Sequence, residues 1–353
     1  MMQPRRLLII KPSSFGDIIH SLPALALLRD HWPDTRIDWL VKEQWAELLI
    51  HQPALNEVLL FPAKFSAWRR LRRSLRERRY DMVIDLQGLL RSGVAALLSG
   101  APVRVGFADA REGSVRCYTE KISICREAVH AVDRNIDLLR QIGIPAAGSA
   151  TFPLAVPSSA ERWAEDLWNK ERLGEGQSVV VLHPAARGET KRWPAGRFAE
   201  VAEQLAAKMG ARIILVAARE QIGHVTEVTA RLRTRAINLA GATSLLELAA
   251  LIKRASLVIS NDSGPMHLAA ALATPVVGLF GPTDPQRVGP YGRHTIALKK
   301  QFDCAGCSRR ACVRDAECLK MISAEDVLAA ASQLMPKRQA RELSGPLPGV
   351  CSK

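Results

Sequence analysis

Residues 11–17, with the sequence KPSSFGD, join an apolar segment to a helix-like one and contain a candidate acid–base group. In an open α/β sheet, ligands bind in the loops that follow the carboxyl ends of the strands. At the start of the helix, the helix dipole would favour the ionised form of Asp17. Its carboxylate could then accept a proton from a hydroxyl nucleophile. Ser13 and Ser14 offer hydroxyls, and Gly16 permits a tight turn. The alternative is that Asp17 only caps the helix.

A second loop, NDSGPMH at residues 261–267, also follows an apolar segment. Asp262, Ser263 and Gly264 precede a helix whose free N–H groups suit a diphosphate. His267 lies one turn further and could face the same ligand. The alternative is an ordinary strand-to-helix turn with a satisfied surface histidine. A neighbouring glycine-rich loop, GLFGPTDP, follows the next apolar segment. Two such loops at one sheet edge favour the diphosphate site.

A third loop, residues 183–194, follows the first apolar segment of the second half. Its Lys191 could neutralise a phosphate, with help from Arg187 or Arg192. A solvated basic loop is the alternative, and on the evidence of this loop alone that alternative is favoured.

The formal charge of +14 is concentrated partly in residues 64–79. Trp68, Leu71 and Leu75 recur at helical spacing, which predicts an amphipathic helix with arginines on another face. We assign the binding of an acidic partner to Arg69, Arg70, Arg72 and Arg73. Guanidinium groups suit phosphates and carboxylates, so the pattern predicts an acidic ligand, nucleic acid or an anionic membrane surface. Few aromatic residues interleave the arginines, which disfavours a base-stacking surface for nucleic acid.

Four of the seven cysteines are spaced C-x2-C-x4-C-x5-C, at Cys304, Cys307, Cys312 and Cys318. Four thiolates at this spacing could hold a structural zinc ion, and four reduced cysteines are the alternative. An odd number of cysteines in a chain of this length fits a reducing cytoplasm.

Strand-like and helix-like segments alternate throughout, which predicts an α/β protein with two Rossmann-like lobes facing a cleft. We place an N-terminal acceptor-binding domain at residues 1–150 and a C-terminal sugar-nucleotide-binding domain at 151–335. Residues 336–353 have no apolar period and are predicted to be disordered. No apolar run reaches the length of about 18 residues that a membrane span needs.

Four blocks of this chain, in this order, resemble the bacterial heptosyltransferases of lipopolysaccharide core synthesis, in glycosyltransferase family 9: IIKPSSFGDIIHSLPAL, VIDLQGLLRSG, LHPAARGETKRWP and NDSGPMHLAAALATPVVGLFGPTDP. The resemblance covers residues 5 to 335. It implies the two-lobed GT-B architecture, an ADP-heptose donor and inversion at the anomeric carbon. It also implies that transfer requires no metal or other cofactor.

The same resemblance implies roles for single residues. Asp17 corresponds to the general base and Lys191 to a lysine that binds the donor phosphates. The other donor-binding positions that it implies are Glu220, Asp262, Ser263, Gly264 and His267. Where some members carry two threonines, this chain has Ala186 and Arg187, so phosphate contacts there are expected to differ.

The arginine-rich segment and the ADAREG stretch around Arg111 look most like the first heptosyltransferase of the family. We therefore expect transfer of heptose from ADP-L-glycero-D-manno-heptose to the Kdo residue of Kdo-lipid A. The enzyme would act peripherally on the cytoplasmic face of the inner membrane, with no nucleic acid as partner. A second heptosyltransferase, acting on the first core heptose, is the alternative. The rivals from other classes are a basic nucleic-acid-binding protein and a nicotinamide-dependent oxidoreductase.

Overall fold

The strands of this protein form two six-stranded parallel sheets. The computed structural model describes residues 2–146, 150–174, 176–302, 312, 314 and 316–335. The strands are β1 (Arg6–Ile10), β2 (Arg36–Val41), β3 (Glu57–Leu60), β4 (Met82–Asp85), β5 (Val103–Phe107) and β6 (Glu120–Ile122) in the first sheet, and β7 (Val179–His183), β8 (Arg212–Leu215), β9 (Ala236–Asn238), β10 (Leu257–Asn261), β11 (Val276–Phe280) and β12 (Thr295–Lys299) in the second.

Both sheets have the same topology. The first runs β3-β2-β1-β4-β5-β6, and the second runs β9-β8-β7-β10-β11-β12. This is the Rossmann strand order, in which the connections reverse direction between the first and fourth strands and open a crevice at their carboxyl ends. The predicted pair of Rossmann-like lobes is therefore confirmed, and each lobe has one such crevice, between β1 and β4 and between β7 and β10.

Helices connect the strands of each sheet. They are α1 (Phe15–Ile19), α2 (Leu22–His31), α3 (Glu43–Ala46), α4 (Trp68–Arg78), α5 (Leu90–Ser99), α6 (Ala131–Gln141), α7 (Ser158–Lys170), α8 (Ala195–Met209), α9 (Ile222–Thr229), α10 (Leu245–Arg254), α11 (Gly264–Ala271), α12 (Pro285–Val288), α13 (Glu317–Lys320) and α14 (Ala324–Leu334). Short 3-10 turns lie at Phe65–Ala67, Ser114–Cys117, Glu189–Lys191 and Arg219–Gln221.

The central strands are buried along their whole length. Every residue of β7, β10 and β11 is buried, as expected for parallel strands covered by helices on both faces. An apolar cluster extends from Ile9 and Ile84 of the first sheet through Ile18 and Met266 to Val258 of the second. The two lobes thus share apolar packing at the place where α1 meets α11, and the carboxyl edges of the two sheets face each other there.

Local sequence signals explain most helix ends, with one exception. The sequence pattern predicts one helix from about Ile18 to His31, whereas the chain forms α1 and then, after His20 and Ser21, α2. Pro23 lies in the first turn of α2, where a proline is tolerated, and it could not continue α1 because it has no N–H. At the start of α10, Ser244 and Glu247 have the S-x-x-E spacing of a capping box, and the box is present: the Glu247 N–H donates to Ser244 Oγ at 3.2 Å, and the Ser244 N–H donates to Glu247 Oε2 at 2.7 Å.

The domain limits at residues 150, 151 and 335 stay predictions, and the tail from residue 336 lies outside the described residues. Within the described ranges, no helix combines the length and the apolar content that crossing a bilayer requires.

Candidate active site between the lobes

The carboxylate of Asp17 lies in the first turn of α1, at the crevice of the first lobe. Its Oδ2 atom accepts hydrogen bonds from the backbone N–H of Ser14 at 2.8 Å and from Ser14 Oγ at 2.7 Å. Among the described residues, Oδ1 accepts no hydrogen bond. Burial raises the pKa of Asp17, but the charge of Lys11 and the two bonds from Ser14 outweigh it, so the pKa is below its usual value. The residue caps the helix and also presents an ionised oxygen.

Lys11, directly after β1, is a site residue that our sequence reasoning missed. Its side chain is buried, and Nζ donates to the carbonyl of Leu86 at 2.7 Å. Burial lowers the pKa of Lys11, although the nearby carboxylates of Asp17 and Asp85 raise it. The sequence signal that could have revealed it is a lysine directly after an apolar strand. Because lysine is seldom buried without a partner, a buried lysine there indicates neighbouring acceptors or carboxylates.

The loop after β4 supports the Asp17 loop from the other side of the crevice. Asp85 is buried; its Oδ1 accepts the N–H groups of Gln87 at 2.9 Å and Gly88 at 3.2 Å, and its Oδ2 accepts the hydroxyl of Tyr118 at 2.7 Å. Gln87 Oε1 in turn accepts the N–H of Ser13 at 3.3 Å. Burial raises the pKa of Asp85, and its hydrogen bonds to Gln87 and Gly88 anchor the loop to the end of β4.

The second lobe brings Lys191 and Asp262 together across its own crevice, as the loops after β7 and β10 converge. Lys191 Nζ lies 2.6 Å from Asp262 Oδ2, and the Thr283 hydroxyl donates to the same oxygen at 2.6 Å. Asp262 is buried, whereas Lys191 is one third exposed. Asn261, at the end of β10, links this strand to the loop after β7: its side chain accepts the Trp193 N–H at 3.1 Å and donates to the Pro184 carbonyl at 2.8 Å. Thr283, in the second glycine-rich loop, was not predicted as a site residue.

His267 lies in the first turn of α11 and is buried, so the alternative of a surface histidine is wrong. Its Nδ1 lies 3.0 Å from Nε2 of His20, which belongs to the first lobe. Burial lowers the pKa of His267 to about 4, against the opposing charges of Asp262 and Asp17. The ring is therefore neutral at physiological pH. Because the charges of Asp17, Asp262 and Lys191 all act on this one ring, the loops of both lobes converge on it.

The two glycines of the predicted loops are required by close contact between the lobes. A Cβ atom on Gly16 would overlap the ring of His267, and one on Gly264 would overlap the ring of Phe15. Neither glycine has a positive φ. The expected tight turn at Gly16 is therefore not what requires glycine there.

The predicted ribose residue, Glu220, is exposed in the 3-10 turn that follows β8. It lies at the same carboxyl edge as Lys191 and Asp262 but contacts neither. Ala186 is buried and Arg187 is exposed in the loop after β7. Arg192 Nε donates to the Ala186 carbonyl at 3.0 Å, and its expected help to Lys191 stays a prediction.

The amphipathic helix predicted in the basic segment is α4. Leu71 and Leu75 are buried, and Trp68 packs partly against the same cluster. The four predicted arginines, Arg69, Arg70, Arg72 and Arg73, are all exposed, and none forms an ion pair with a described residue. Arg70 also lines a groove of about 760 Å³ together with Lys42 and Arg91. Arg111 is exposed, and its backbone N–H donates to the Gly88 carbonyl at 2.9 Å.

Comparison with known proteins decides the family. The profile of glycosyltransferase family 9 (heptosyltransferase) matches residues 68–317, which is well over half of the chain. The chain belongs to glycosyltransferase family 9. The predicted enzyme class, a glycosyltransferase, is thereby confirmed, and the nicotinamide-dependent oxidoreductase is set aside.

Individual family 9 proteins resemble this chain over most of its length. Lipopolysaccharide heptosyltransferase 1 of Pseudomonas aeruginosa is 32% identical over 324 residues, which cover 87% of each chain. Lipopolysaccharide heptosyltransferase 3 of Escherichia coli is 30% identical, covering 91% of this chain and 96% of the relative. The structure of the E. coli heptosyltransferase WaaC with ADP superposes with a TM-score of 0.73 at 26% identity, covering 93% and 99% of the two chains. The GT-B architecture expected from the sequence is therefore confirmed.

The cysteine segment of this family 9 chain lies mostly outside the described residues. Cys304 and Cys307 are among the residues that the structure does not describe, while Cys312 is half-buried and Cys318 is buried. Within the described part of the chain, no group of three or more His, Cys, Asp or Glu side chains is arranged to hold a metal ion. The predicted structural zinc site stays a prediction.

Proposed function

We propose that this family 9 enzyme transfers heptose from ADP-heptose to the Kdo residue of the lipopolysaccharide inner core, with inversion and with Asp17 as the general base. The proposal is supported by the relatives, which are named lipopolysaccharide heptosyltransferases, and by the similar structure that holds ADP. The observation that carries it is the convergence on His267 of a carboxylate from one lobe and the Lys191–Asp262 pair from the other.

Transfer in this arrangement is a direct displacement. Oδ1 of Asp17 takes the proton of the acceptor hydroxyl while that oxygen forms a bond to the anomeric carbon. The bond from that carbon to the diphosphate oxygen breaks on the opposite face, and its electron pair leaves with ADP. Because the attack and the departure occur on opposite faces, the anomeric configuration inverts. A proton transfer to a positioned base contributes roughly 10²- to 10⁴-fold to such a rate.

The Lys191–Asp262 pair prepares the second lobe for the leaving group. Asp262 holds Lys191 at the carboxyl edge of the sheet, and Thr283 donates to the same carboxylate oxygen. The ammonium group is therefore already ordered when the diphosphate binds. The ammonium keeps two further N–H donors for phosphate oxygens. A preorganised cation at the point where negative charge develops stabilises the transition state more than the ground state. Ser263, Gly264, His267 and Glu220 complete the proposed donor site, the last through the ribose.

The acceptor is proposed to bind to the first lobe. Kdo carries a carboxylate and lipid A carries phosphates, and the exposed arginines of α4 with Arg111 supply cations without competing carboxylate partners among the described residues. The same surface suits peripheral attachment to the anionic cytoplasmic face of the inner membrane. Transfer is proposed to need no cofactor, and any zinc would be structural.

The relatives leave a second acceptor open, because enzymes named heptosyltransferase 1 and heptosyltransferase 3 match this chain to similar extents. A turnover assay with ADP-heptose and two alternative acceptors, Kdo-lipid A and the same lipid already carrying one heptose, decides between them. We expect a mass increase of one heptose and release of ADP with Kdo-lipid A. Turnover only of the heptosylated lipid would assign a later heptosyltransferase, and no turnover of ADP-heptose with either would contradict the proposed function.

A further inference from the structure

A pair of buried imidazoles crosses the boundary between the lobes at the candidate active site. His20 follows α1 of the first lobe, and its Nε2 lies 3.0 Å from Nδ1 of His267 in α11 of the second lobe. The two rings meet edge to face, with centroids 4.4 Å apart. Both residues are less than a tenth exposed. The displacement described above makes no use of His20.

Beside this pair, each lobe packs one aromatic ring against a glycine of the other lobe. The ring of His267 from the second lobe covers Gly16 of the first, and the ring of Phe15 from the first lobe covers Gly264 of the second. Each loop therefore receives an aromatic side chain of the other loop where only a glycine leaves room. The loop that carries Asp17 and the loop that follows Asp262 are interlocked, and His20 supplies the hydrogen bond in this contact.

In the hydrogen bond of this pair, one neutral imidazole donates its N–H and the other accepts it. Burial lowers the pKa of both histidines, to about 4 for His267, so one N–H is shared between two neutral rings. The charged groups that act on the pair are Lys11, Asp17, Lys191 and Asp262, and His130 is the third ring beside it. The other nitrogen of His20, Nδ1, is buried and forms no hydrogen bond of normal geometry with a described residue, although the backbone of Gly289 is close enough to act on the pKa of His20. A buried nitrogen without a well-formed hydrogen bond is unfavourable, and such groups in native proteins call for an explanation.

We propose that His20 is a positioning residue of the transfer reaction, which holds His267 across the lobe boundary and thereby fixes the distance between the base loop and the donor loop. The inference rests on the proposed function, in which the base and the leaving group come from different lobes. A reaction of this kind is sensitive to small displacements, since a misplacement of about 1 Å can lower a rate roughly 10²-fold. The residues proposed to bind the donor, by contrast, all lie in the second lobe, where Lys191, Asp262 and Thr283 form the proposed diphosphate contact without His20.

The test compares His20→Phe, which keeps a ring but removes the nitrogen atoms, with His20→Gln, whose amide can replace Nε2. We expect kcat to fall about 10- to 100-fold in His20→Phe, with the Kd for ADP within about twofold of wild type. His20→Gln should recover most of the loss. Because Gln lacks the ring but keeps a hydrogen-bonding group near the position of Nε2, its recovery would separate the hydrogen bond from the packing of the ring. His31→Gln, at an exposed position at the end of α2, is the matched control and should behave as wild type.

A double-mutant cycle with His267→Phe measures the contact itself. If His20 acts through His267, then His20→Phe should lower kcat no further once His267 is replaced. Additive losses, a kcat of His20→Phe within twofold of wild type, or equal losses in the Phe and Gln variants would overturn the inference. The same cycle read on the urea midpoint of unfolding needs no turnover. Even if ADP-heptose proved not to be the donor, additive effects on that midpoint would still contradict the proposed contact.

Discussion

At the scale of single residues, the ionisation state of Asp17 is set by several neighbours that together outweigh the effect of its burial. Burial alone would raise its pKa, and the Lys11 charge is the main influence in the other direction. A carboxylate whose pKa is depressed in the folded state contributes its full stabilisation at pH values above its ordinary pKa. The stabilisation decreases as the pH falls below that value and is lost, together with the negative charge, as the pH falls through the depressed pKa.

Replacement of Lys11 should therefore change the pH profile. In Lys11→Met the pKa of Asp17 should rise, so the acid limb of kcat/KM should move to higher pH, because the base is protonated earlier as the pH falls. Lys11→Arg keeps the charge and should leave the limb near its original position. A pH–rate profile of both variants makes the comparison, and an unmoved acid limb in Lys11→Met would show that Lys11 does not tune the base.

Lys191 should govern donor affinity. Lys191→Met removes a charged hydrogen-bond donor and leaves the buried Asp262 with Thr283 as its remaining partner. Loss of a hydrogen bond to a charged group costs about 1.5–3 kcal/mol, so the Kd for ADP should rise roughly 10- to 100-fold by calorimetry. Lys208→Met, at the exposed end of α8, should leave the Kd unchanged. A wild-type affinity in Lys191→Met would remove this lysine from the donor site.

The sequence pattern indicated Asp17 and Asp262 because each follows the carboxyl end of an apolar strand, whereas Lys191 was indicated by the family resemblance. The sequence did not predict Lys11, His20 or Thr283. The partners of His20 and Thr283 lie in remote segments: His20 and His267 are 247 positions apart, and no local pattern shows which distant side chains will meet.

At the scale of the elements, α4 is held to the first lobe by a narrow apolar stripe on a strongly basic helix. Leu75→Ala should destabilise the protein by about 2–5 kcal/mol, as expected for a fully buried leucine. Arg72→Ala, on the exposed face of the same helix, should change the free energy of unfolding by no more than about 0.5 kcal/mol. Urea unfolding of both variants tests the orientation of the helix, and the reverse order of effects would contradict it.

Elements with a strong periodic signal were predicted well, and the weak ones were missed. The segments VVVLH and VVGLF are buried strands in the structure, as their unbroken apolar runs indicated. The sequence did not reveal β5, β6 or β12. β5 is an internal strand whose first two residues are half-buried, and β6 and β12 are edge strands whose residues are half-buried or exposed. In such strands, pairing with the neighbouring strands decides the conformation more than the local sequence does.

At the scale of the whole molecule, the proposed membrane-binding surface is the exposed arginine face of α4 in the first lobe. Wild-type protein should bind vesicles that contain anionic lipid, less tightly as salt is added. The double variant Arg72→Ser and Arg73→Ser should bind about 30-fold more weakly, since each basic residue near such a surface contributes about 1 kcal/mol. The matched variant Arg231→Ser and Arg233→Ser makes the same charge change on the second lobe. Equal losses in the two variants would show that α4 is not the attachment surface.

The two-lobed architecture followed from the alternation of apolar segments, but the way the lobes meet did not. The contact between α1 and α11 depends on two glycines and two rings from separate lobes, and each of these residues is ordinary within its own segment. The relation between the base and the donor site is therefore a property of the whole molecule.

The most direct test of the central claim is the comparison of wild type with Asp17→Asn in single-turnover transfer from ADP-heptose to Kdo-lipid A. The asparagine keeps an oxygen that can accept the Ser14 N–H, so the α1 cap should survive while the base is lost. We expect the wild type to add one heptose, and the variant to do so about 10²- to 10⁴-fold more slowly with an unchanged Kd for ADP. A variant that transfers heptose at close to the wild-type rate would contradict the assignment of Asp17 as the general base.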